Sequence, residues 1–353
     1  MDLDVKPFSR FEDQLVTLDL HVGGEPIRLV VGGMPPLPGR TINDKRLYIN
    51  RNLDHVRLLL TQEPRGHRDM FGAIITEPAS DGPPEAGGDF GIVFMDACRY
   101  PYMCGHGIIG AVTGFIEMGW VDAQDGDETV VIVDSPSGPI RARARVQETA
   151  DGHPRVESVA IQLESAFAFL LDHPLEVPGL GCLNVDVSFA GGFFVMVSAE
   201  QIGLALTADN APELARRGMA IIEAGNQQLQ VQHPTRTYIN TVDVAEFYDA
   251  AGHAGAQGKN FVVLGEGHVD RCPCGTGTSA KMALLHRRGE LAVGQTFVNQ
   301  GLLGTTFEGR IVEETTVGDL SAIVPEIRGT AHVTGLHRFV VTPDDPFPEG
   351  FLI

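Results

Sequence analysis

The feature of this sequence that most constrains its fold is an internal repeat centred on two cysteines, Cys104 and Cys274. Glycine follows each cysteine at offsets of +1, +3 and +15, and a β-type run ends ten residues before each of them. Behind each cysteine, apolar residues recur at helical spacing as far as Gly119 or Gly289, where a glycine typically terminates a helix. The repeat predicts two similar units, each with a helix that begins at its cysteine.

The spacing of the repeat divides the chain into two halves. The two cysteines stand 170 residues apart in a chain of 353 residues, and this length fits two domains of about 150–200 residues. We predict an α/β (α+β) protein with two pseudo-symmetric domains: residues 1–160 with Cys104, and residues 161–339 with Cys274, while residues 340–353 return to the first domain. A pseudo-two-fold axis would bring both helix starts to one interdomain cleft, where small-molecule sites tend to form.

Hydrophobic periodicity supports a strand-rich fold. A third helix is expected over residues 210–229, where apolar residues share one face behind Asn210 as a plausible cap. Nine β-type runs predict strands, at residues 15–22, 27–32, 90–95, 129–133, 159–163, 193–197, 260–264, 307–312 and 339–341.

Composition excludes several classes of protein. The net charge of −20 argues against nucleic acid and anionic membranes as partners, because both select basic patches. Residues 1–6 lack the pattern of a secretory signal, and no apolar run approaches the roughly 20 residues that span a bilayer. The five cysteines are odd in number and unevenly spread, unlike a disulfide framework. We therefore expect a reduced, cytoplasmic protein.

Two thiols at helix starts that face one another predict inversion of a stereocentre. The positive end of a helix lowers the pKa of a thiol, so we expect thiolate to be accessible near neutrality at Cys104 and Cys274. One thiolate would remove a proton from carbon, while the opposite thiol would deliver a proton to the other face. Because such acid–base catalysis contributes about 10²–10⁴-fold, backbone N–H groups at the helix starts must also stabilise the developing charge.

The residues around both cysteines resemble the signature motifs of the proline racemase family. Matching segments extend over nearly the whole chain: 63–67, 69–73, 94–96, 103–107, 232–234, 241–243, 270–280 and 350–353. The resemblance implies the diaminopimelate-epimerase-like fold, in which each domain wraps β-strands around a central helix. It also implies a cofactor-independent enzyme acting on a small amino acid, and it is consistent with a homodimer.

The resemblance further implies the roles of individual residues. Cys104 and Cys274 would be the two bases. The substrate carboxylate would bind to backbone groups of four residues, Gly105, His106, Gly275 and Thr276, while the side chains of His106 and Asp270 would lie near the ring nitrogen. Phe71 matches one of two phenylalanines that line the ring pocket in proline-specific members, and Leu264 occupies the position of the second.

Substrate and reaction are less constrained than family. Leu264 in place of phenylalanine leaves the choice between proline and 4-hydroxyproline open, and Cys272 stands where the family motif usually has serine. Members that dehydrate trans-3-hydroxy-L-proline generally lack one of the two thiols. This chain has both, which favours inversion over elimination, with the dehydratase as the alternative.

Other interpretations of the same motifs are weaker. Residues 105–110 fit the GxGxxG pattern of dinucleotide-binding folds, but they do not directly follow a strand as that fingerprint requires. A zinc-binding or non-catalytic ligand-binding protein is a second alternative, but the cysteine spacings differ from common zinc motifs. We therefore expect no metal and no organic cofactor.

Overall fold

In the computed structural model of the protein, the described residues are 14–80, 88–124, 126–249, 252 and 255–353. The segment 1–6, where we expect no signal sequence, lies outside them. Within these ranges, none of the helices combines the length and the apolar character that crossing a bilayer requires.

In the part of the chain that the structure describes, sixteen strands form a single hydrogen-bonded ladder, which is the framework of the fold. One end of the ladder contains β1 (Gln14–Val22), β2 (Glu25–Gly32), β3 (Phe71–Thr76), β4 (Phe90–Asp96), β5 (Thr129–Ser135), β6 (Gly138–Glu148), β7 (Pro154–Gln162) and β16 (Ala331–Val340). The other contains β8 (Phe167–Val177), β9 (Gly181–Phe189), β10 (Phe193–Ser198), β11 (Val242–Asp249), β12 (Gly258–Leu264), β13 (Thr296–Gln300), β14 (Thr306–Val317) and β15 (Leu320–Gly329).

The two ends of the ladder repeat the same pairing pattern. The first runs in the order β16-β1-β2-β3-β4-β5-β6-β7, and the second in the order β8-β9-β10-β11-β12-β13-β14-β15. In both series the third strand pairs in parallel with the fourth, and the fifth with the sixth, while the other neighbours are antiparallel. The series join where β7 pairs with β15. The internal repeat in the sequence therefore corresponds to a repeat in topology.

Among the described residues, six helices pack against this ladder: α1 (Ile42–Asn52), α2 (Asp54–Thr61), α3 (Gly105–Glu117), α4 (Ala199–Ile202), α5 (Ala211–Gln228) and α6 (Gly275–Arg287). Helix α3 contacts β1, β2, β6, β7 and β16, whereas α6 contacts β8, β9, β14 and β15. Each is the central helix of its own strand series. Both contribute to one large apolar core, while α1 and α2, and separately α4 and α5, cover smaller cores on the outer faces.

Helix α3 is enclosed on all sides, as its sequence indicates. Every residue from His106 to Ile116 is buried, and a helix that is apolar all round belongs in a core. A methyl group on Gly110 would lie 2.7 Å from Ile27 Cγ2, and one on Gly114 would lie 2.7 Å from Leu18 Cδ2. Glycine at these positions lets the helix approach the strand layer closely.

The helices predicted from the repeat are confirmed. Both begin directly after the cysteines, and Gly119 (φ +69°) and Gly289 (φ +76°) follow their last residues in the left-handed conformation. Helix α5 agrees with its predicted range to one residue at each end.

The sequence analysis missed α1, α2 and several strands whose burial is only partial. Helix α1 buries only Ile42 and Ile49 among its apolar residues, too few for a clear stripe. Strand β8 contains Pro174 and irregular pairing, features that obscure the two-residue period. Strand β16 pairs with β1 from Ala331 onward, although residues 332–334 and 336–338 are exposed. The domain boundary at residues 160 and 161 stays a prediction.

Candidate active site

Cys104 is the residue that precedes the first turn of α3, and its side chain is buried, with 8% exposed. Its Sγ atom lies 3.3 Å from Nδ1 and 3.6 Å from Nε2 of His106. The His106 ring also hydrogen-bonds the Pro26 carbonyl, which must be the acceptor because proline has no N–H. The ring nitrogen without the proton therefore remains available as an acceptor for the Cys104 thiol.

Cys274 occupies the equivalent position before α6, with 5% exposed. The Gly277 N–H donates to its Sγ atom at 3.2 Å, and Thr276 Oγ1 lies 3.4 Å from the same sulfur. Its own N–H donates to Cys272 Sγ at 3.4 Å. The Cys272 thiol thus supports the backbone beside Cys274, a task that a serine hydroxyl can also perform.

The backbone at Cys274 is held in an unusual conformation. Its φ of +59° and ψ of 116° lie in a region that residues other than glycine rarely adopt. Holding a residue in such a conformation costs about 1–3 kcal/mol. The preceding Pro273 carbonyl accepts from Asn260 Nδ2 at 2.9 Å and Thr278 Oγ1 at 3.1 Å, and more weakly from Asn299 Nδ2 at 3.5 Å. These hydrogen bonds offset the backbone strain and fix the orientation of the Cys274 side chain.

The two helix starts lie against each other. A methyl group on Gly105 would lie 4.0 Å from the Cα atom of Gly275, so the first turns of α3 and α6 meet at their glycines. Amides of a first helical turn have no acceptor within their helix and attract anions. Gly105, His106, Gly275 and Thr276 therefore present two sets of N–H donors at one place.

Asp270 interacts with both thiols. It is buried, with 6% exposed, and it hydrogen-bonds Cys274 while raising the pKa of Cys104 through its charge. Burial is the largest cause that raises the pKa of Asp270 itself, to about 6. A buried carboxyl group between two thiols is suited to a cationic ligand, because a positive charge there would favour the ionised carboxylate.

The thiol pKa values differ from the expectation based on the helix starts. Burial raises the pKa of both Cys104 and Cys274, and the charge of Asp270 raises both further. The amides of Gly107 and Gly277 act in the opposite direction but are outweighed. The expected lowering is therefore wrong for the site without ligand, because desolvation of a buried thiolate exceeds the stabilisation from the helix start.

The predicted ring-pocket residues occupy different surroundings. Phe71, at the start of β3, packs edge-on against the His106 ring with 4.8 Å between ring centroids. Burial lowers the pKa of His106 to about 4, so this ring is neutral near pH 7. Leu264, at the end of β12, is half-buried, and its N–H donates to the His268 carbonyl at 2.8 Å. Phe71 thus belongs to the surroundings of Cys104, because it contacts His106. Leu264 is the last residue of β12, the strand that precedes the motif of Cys274.

Sequence analysis missed a buried polar group beneath Cys274. Glu246 is fully buried and accepts from Asn260 Nδ2 at 3.2 Å, and burial raises its pKa to about 8. Lys281 lies with Nζ 3.2 Å from the Tyr248 ring centroid, and burial lowers its pKa to about 8. Lys281 was the available sequence signal for these buried polar groups. It is a charged residue in a largely apolar helix, and the equivalent position in the first half of the repeat is Ala111.

The chemistry available at this place is that of thiols, carboxyls and amides. Among the residues that the structure describes, no cluster of three or more histidine, cysteine or acidic side chains is arranged to hold a metal ion. Two further cysteines have other neighbours: Cys98 Sγ lies 3.6 Å from His268 Nε2, and Cys272 Sγ accepts from the Cys274 N–H.

Comparison with known proteins identifies the family. Residues 17–352 match the protein family described as proline racemase. The chain belongs to the proline racemase family. The proline racemase of Clostridioides difficile is 43% identical over 344 residues, which cover 98% of this chain and 99% of that protein. The recognition made from the two cysteine motifs is thereby confirmed.

Relatives within the proline racemase family carry several activities. The 4-hydroxyproline 2-epimerase of Streptosporangium roseum is 38% identical over 95% of this chain and 97% of its own length. The trans-3-hydroxy-L-proline dehydratase of Azospirillum brasilense is 37% identical over 96% of this chain and 98% of its own length. The racemase and epimerase relatives place this family member among the isomerases.

Solved structures confirm the fold class. A hydroxyproline epimerase from Agrobacterium vitis with bound trans-4-hydroxy-L-proline aligns with a TM-score of 0.83 at 30% identity, covering 98% of this chain and 97% of the other. A PhzF-family protein from Bacillus anthracis aligns with a TM-score of 0.57 at 9% identity, covering 93% of this chain and 100% of the other. The second likeness concerns the fold alone.

Proposed function

We propose that this protein inverts C2 of proline or 4-hydroxyproline, with Cys104 and Cys274 as the two acid–base groups. The observation that carries this proposal is the contact between Gly105 and Gly275, which puts two cysteine-led helix starts side by side. Relatives named proline racemase and 4-hydroxyproline 2-epimerase support the substrate class.

Substrate binding follows from the distribution of charge. The amides of the two first helical turns, at Gly105, His106, Gly275 and Thr276, would hold the substrate carboxylate. The Asp270 carboxylate and the neutral His106 ring would face the ring nitrogen. A secondary ammonium there would oppose the effect of Asp270 on both thiols, so that binding of the substrate lowers their pKa values.

Inversion then needs one proton at each face of C2. The thiolate of one cysteine takes the α-proton, and the two electrons of the broken C–H bond move into the carboxylate group. The thiol of the other cysteine donates its proton to the opposite face of the planar carbon. The two sulfurs end with their protonation states exchanged, so the enzyme alternates between two forms that accept opposite enantiomers.

Proton exchange in heavy water tests this mechanism. We would incubate the protein with L-proline, D-proline, and trans- and cis-4-hydroxyproline, and measure deuterium at C2 in product and recovered substrate at low conversion. Two bases put deuterium in the product while the recovered substrate keeps its protium. Equal deuteration of both from the earliest times would contradict the two-base mechanism, because one base would then serve a single face.

Substitution of each thiol tests the residue assignment. We expect Cys104→Ser and Cys274→Ser each to lower kcat/KM by about 10²–10⁴-fold, because a hydroxyl is a poor general base. Cys182→Ser is the matched control, since Cys182 is exposed on β9, and it should retain full activity. Substantial turnover by either active-site variant would remove that cysteine from the mechanism.

The dehydratase alternative has its own assay. Because relatives of similar identity are named trans-3-hydroxy-L-proline dehydratase, the protein should also be tested with that substrate for a pyrroline product. The presence of both Cys104 and Cys274 favours inversion, and formation of pyrroline without α-deuteration of proline or 4-hydroxyproline would favour elimination instead. Cytoplasmic location and a homodimer stay predictions.

A further inference from the structure

The turn between β1 and β2 lies against the segment that leads into Cys274. A methyl group on Gly23 would lie 3.3 Å from Cys272 Cβ and 3.4 Å from Pro273 Cδ. Thr305 Oγ1 donates to the Gly23 carbonyl at 2.6 Å. The hairpin of the first strand series is therefore packed on the cysteine motif of the second.

Glu25, immediately after this turn, is fully buried. Its Oε2 atom accepts from the Arg271 N–H at 2.5 Å, and its Oε1 atom has no hydrogen-bond partner among the described residues. A glutamate is rarely buried completely unless its carboxyl group has a specific task. Here the carboxyl group of Glu25, in the first strand series, hydrogen-bonds the segment that contains Asp270 and Cys274.

Pro26, the residue after Glu25, contacts the motif of Cys104. The Pro26 carbonyl accepts from the His106 ring, and His106 in turn lies against Cys104 Sγ. Two consecutive residues of β2 thus hold both cysteine motifs: Glu25 holds the backbone at Arg271, and Pro26 holds the ring at His106. Both motifs are thereby connected to the same end of one strand.

Charged and titratable groups surround Glu25 on both sides. Burial, followed by the charge of Asp270, raises the pKa of Glu25 well above its usual range, while Arg271 lowers it and Asp69 raises it slightly. Glu25 in turn raises the pKa of Cys104 and Cys272. Its carboxyl group therefore faces the reactive groups and not the solvent.

We propose that Glu25 is a positioning residue, which aligns the segment bearing Asp270 and Cys274 with Cys104 through its hydrogen bond to the Arg271 N–H. Glu25 Oε1 also lies 3.9 Å from Nη1 of Arg271, which is beyond hydrogen-bond distance. The short bond to the Arg271 amide therefore makes the reach of this side chain matter more than its charge. This inference rests on the proposed inversion at C2 and adds a residue to it.

Two conservative variants separate reach from charge. Glu25→Gln keeps the length and an acceptor oxygen but loses the charge, whereas Glu25→Asp keeps the charge but is one methylene shorter. We expect Glu25→Gln to retain kcat within about threefold, and Glu25→Asp to lose about 30-fold in kcat with KM changed less than threefold, since small misplacements of reacting groups cost up to about 10²-fold. Glu25→Ala should resemble Glu25→Asp if it folds.

A second measurement reports on the site without requiring activity. Alkylation of Cys274 by iodoacetamide, followed by mass spectrometry, should be at least about fivefold faster in Glu25→Asp than in the unmodified protein, and unchanged within twofold in Glu25→Gln. Cys104 is unsuitable for this readout, because loss of the Glu25 charge would itself lower the pKa of that thiol. Exposed Cys182 serves as the internal standard in every sample. Glu213→Ala is the control for loss of a carboxylate elsewhere, because Glu213 pairs with Arg216 within the outer helix α5, and it should affect neither readout.

The possible failures are distinguishable. Normal kcat and normal alkylation in Glu25→Asp would overturn the positioning role, and so would a Glu25→Gln variant as slow as Glu25→Asp. Absence of α-proton exchange with all four substrates would remove the proposed function, while the alkylation rates would still decide whether Glu25 aligns the two motifs.

Discussion

At the scale of single residues, the site combines groups that stabilise opposite charges. The amides in the first turns of α3 and α6 favour an anion, whereas Asp270 with its raised pKa favours a cation. A zwitterionic amino acid presents both charges a few bonds apart. In the proposed function, this arrangement would let a protein with a net charge of −20 bind a carboxylate, since the local donors and not the overall field would act on the ligand.

The acid limb of the pH profile should report on Asp270. The carboxylate of Asp270 is the form that pairs with a cationic ring nitrogen. We therefore expect kcat/KM to be constant above about pH 6, the raised pKa of Asp270, and to fall as the pH drops through that value. Asp270→Asn should remove this limb and lower the plateau by about 10–100-fold, the value of a hydrogen bond to a charged group. Steady-state kinetics between pH 4.5 and 9 measure both effects. Persistence of the limb in Asp270→Asn would assign it to another group.

At the scale of elements, the central helices determine how the active site is assembled. Helix α3 brings Cys104 to its place only because glycines let it lie directly on the strands around it. Helix α6 has the same position in the second series but carries Lys281 above Tyr248, with Glu246 beneath its first turn. The two thiols are therefore equivalent in topology but not in surroundings.

Close packing of α3 predicts the effect of a single methyl group. Gly110→Ala would bring a methyl group within 2.7 Å of Ile27 Cγ2, and such overpacking should lower the free energy of unfolding by about 1–3 kcal/mol. The measurement is urea denaturation at constant m-value. Gly119→Ala is the control, because its methyl group meets no atom within 4 Å and only its φ of +69° is unfavourable, at about 1–2 kcal/mol. A more stable Gly110→Ala variant would mean that the helix can move away from β2.

At the scale of the whole molecule, the active site depends on contacts between the two strand series. The Arg271 guanidinium pairs with Asp69 at 2.9 Å, and Cys98 lies beside His268. These contacts join residues of the first strand series, Asp69 before β3 and Cys98 after β4, to the segment before Cys274. Because both thiols are buried in this arrangement, we expect reagents to reach them through local opening of the structure.

Ligand binding should therefore protect the buried thiols. With saturating substrate, iodoacetamide should modify Cys104 and Cys274 at least about tenfold more slowly, because the ligand occupies and closes the site. The rate at Cys182 should stay within twofold, since that thiol is already exposed. Peptide-resolved mass spectrometry gives all three rates from one sample. Protection of Cys182 to the same extent would indicate a general effect on the reagent or the protein.

Much of the architecture was accessible from local patterns. The glycine offsets behind Cys104 and Cys274 predicted two helices and a two-fold repeat, because helix starts and ends depend on a few neighbouring residues. The same motifs led to the family and to the proposed site residues. The partly exposed strand β8 and all but the end of β16 escaped detection, since one buried face, a bulge or a proline weakens their two-residue period.

Only the tertiary structure decided what surrounds the sulfurs. Glu25 and Glu246 carry no sequence signal for a site, yet folding brings each beside a cysteine motif far away along the chain. The direction of the thiol pKa values was also beyond local analysis. A helix start acts through adjacent amides, which the sequence reveals, whereas desolvation depends on every element that packs around the sulfur.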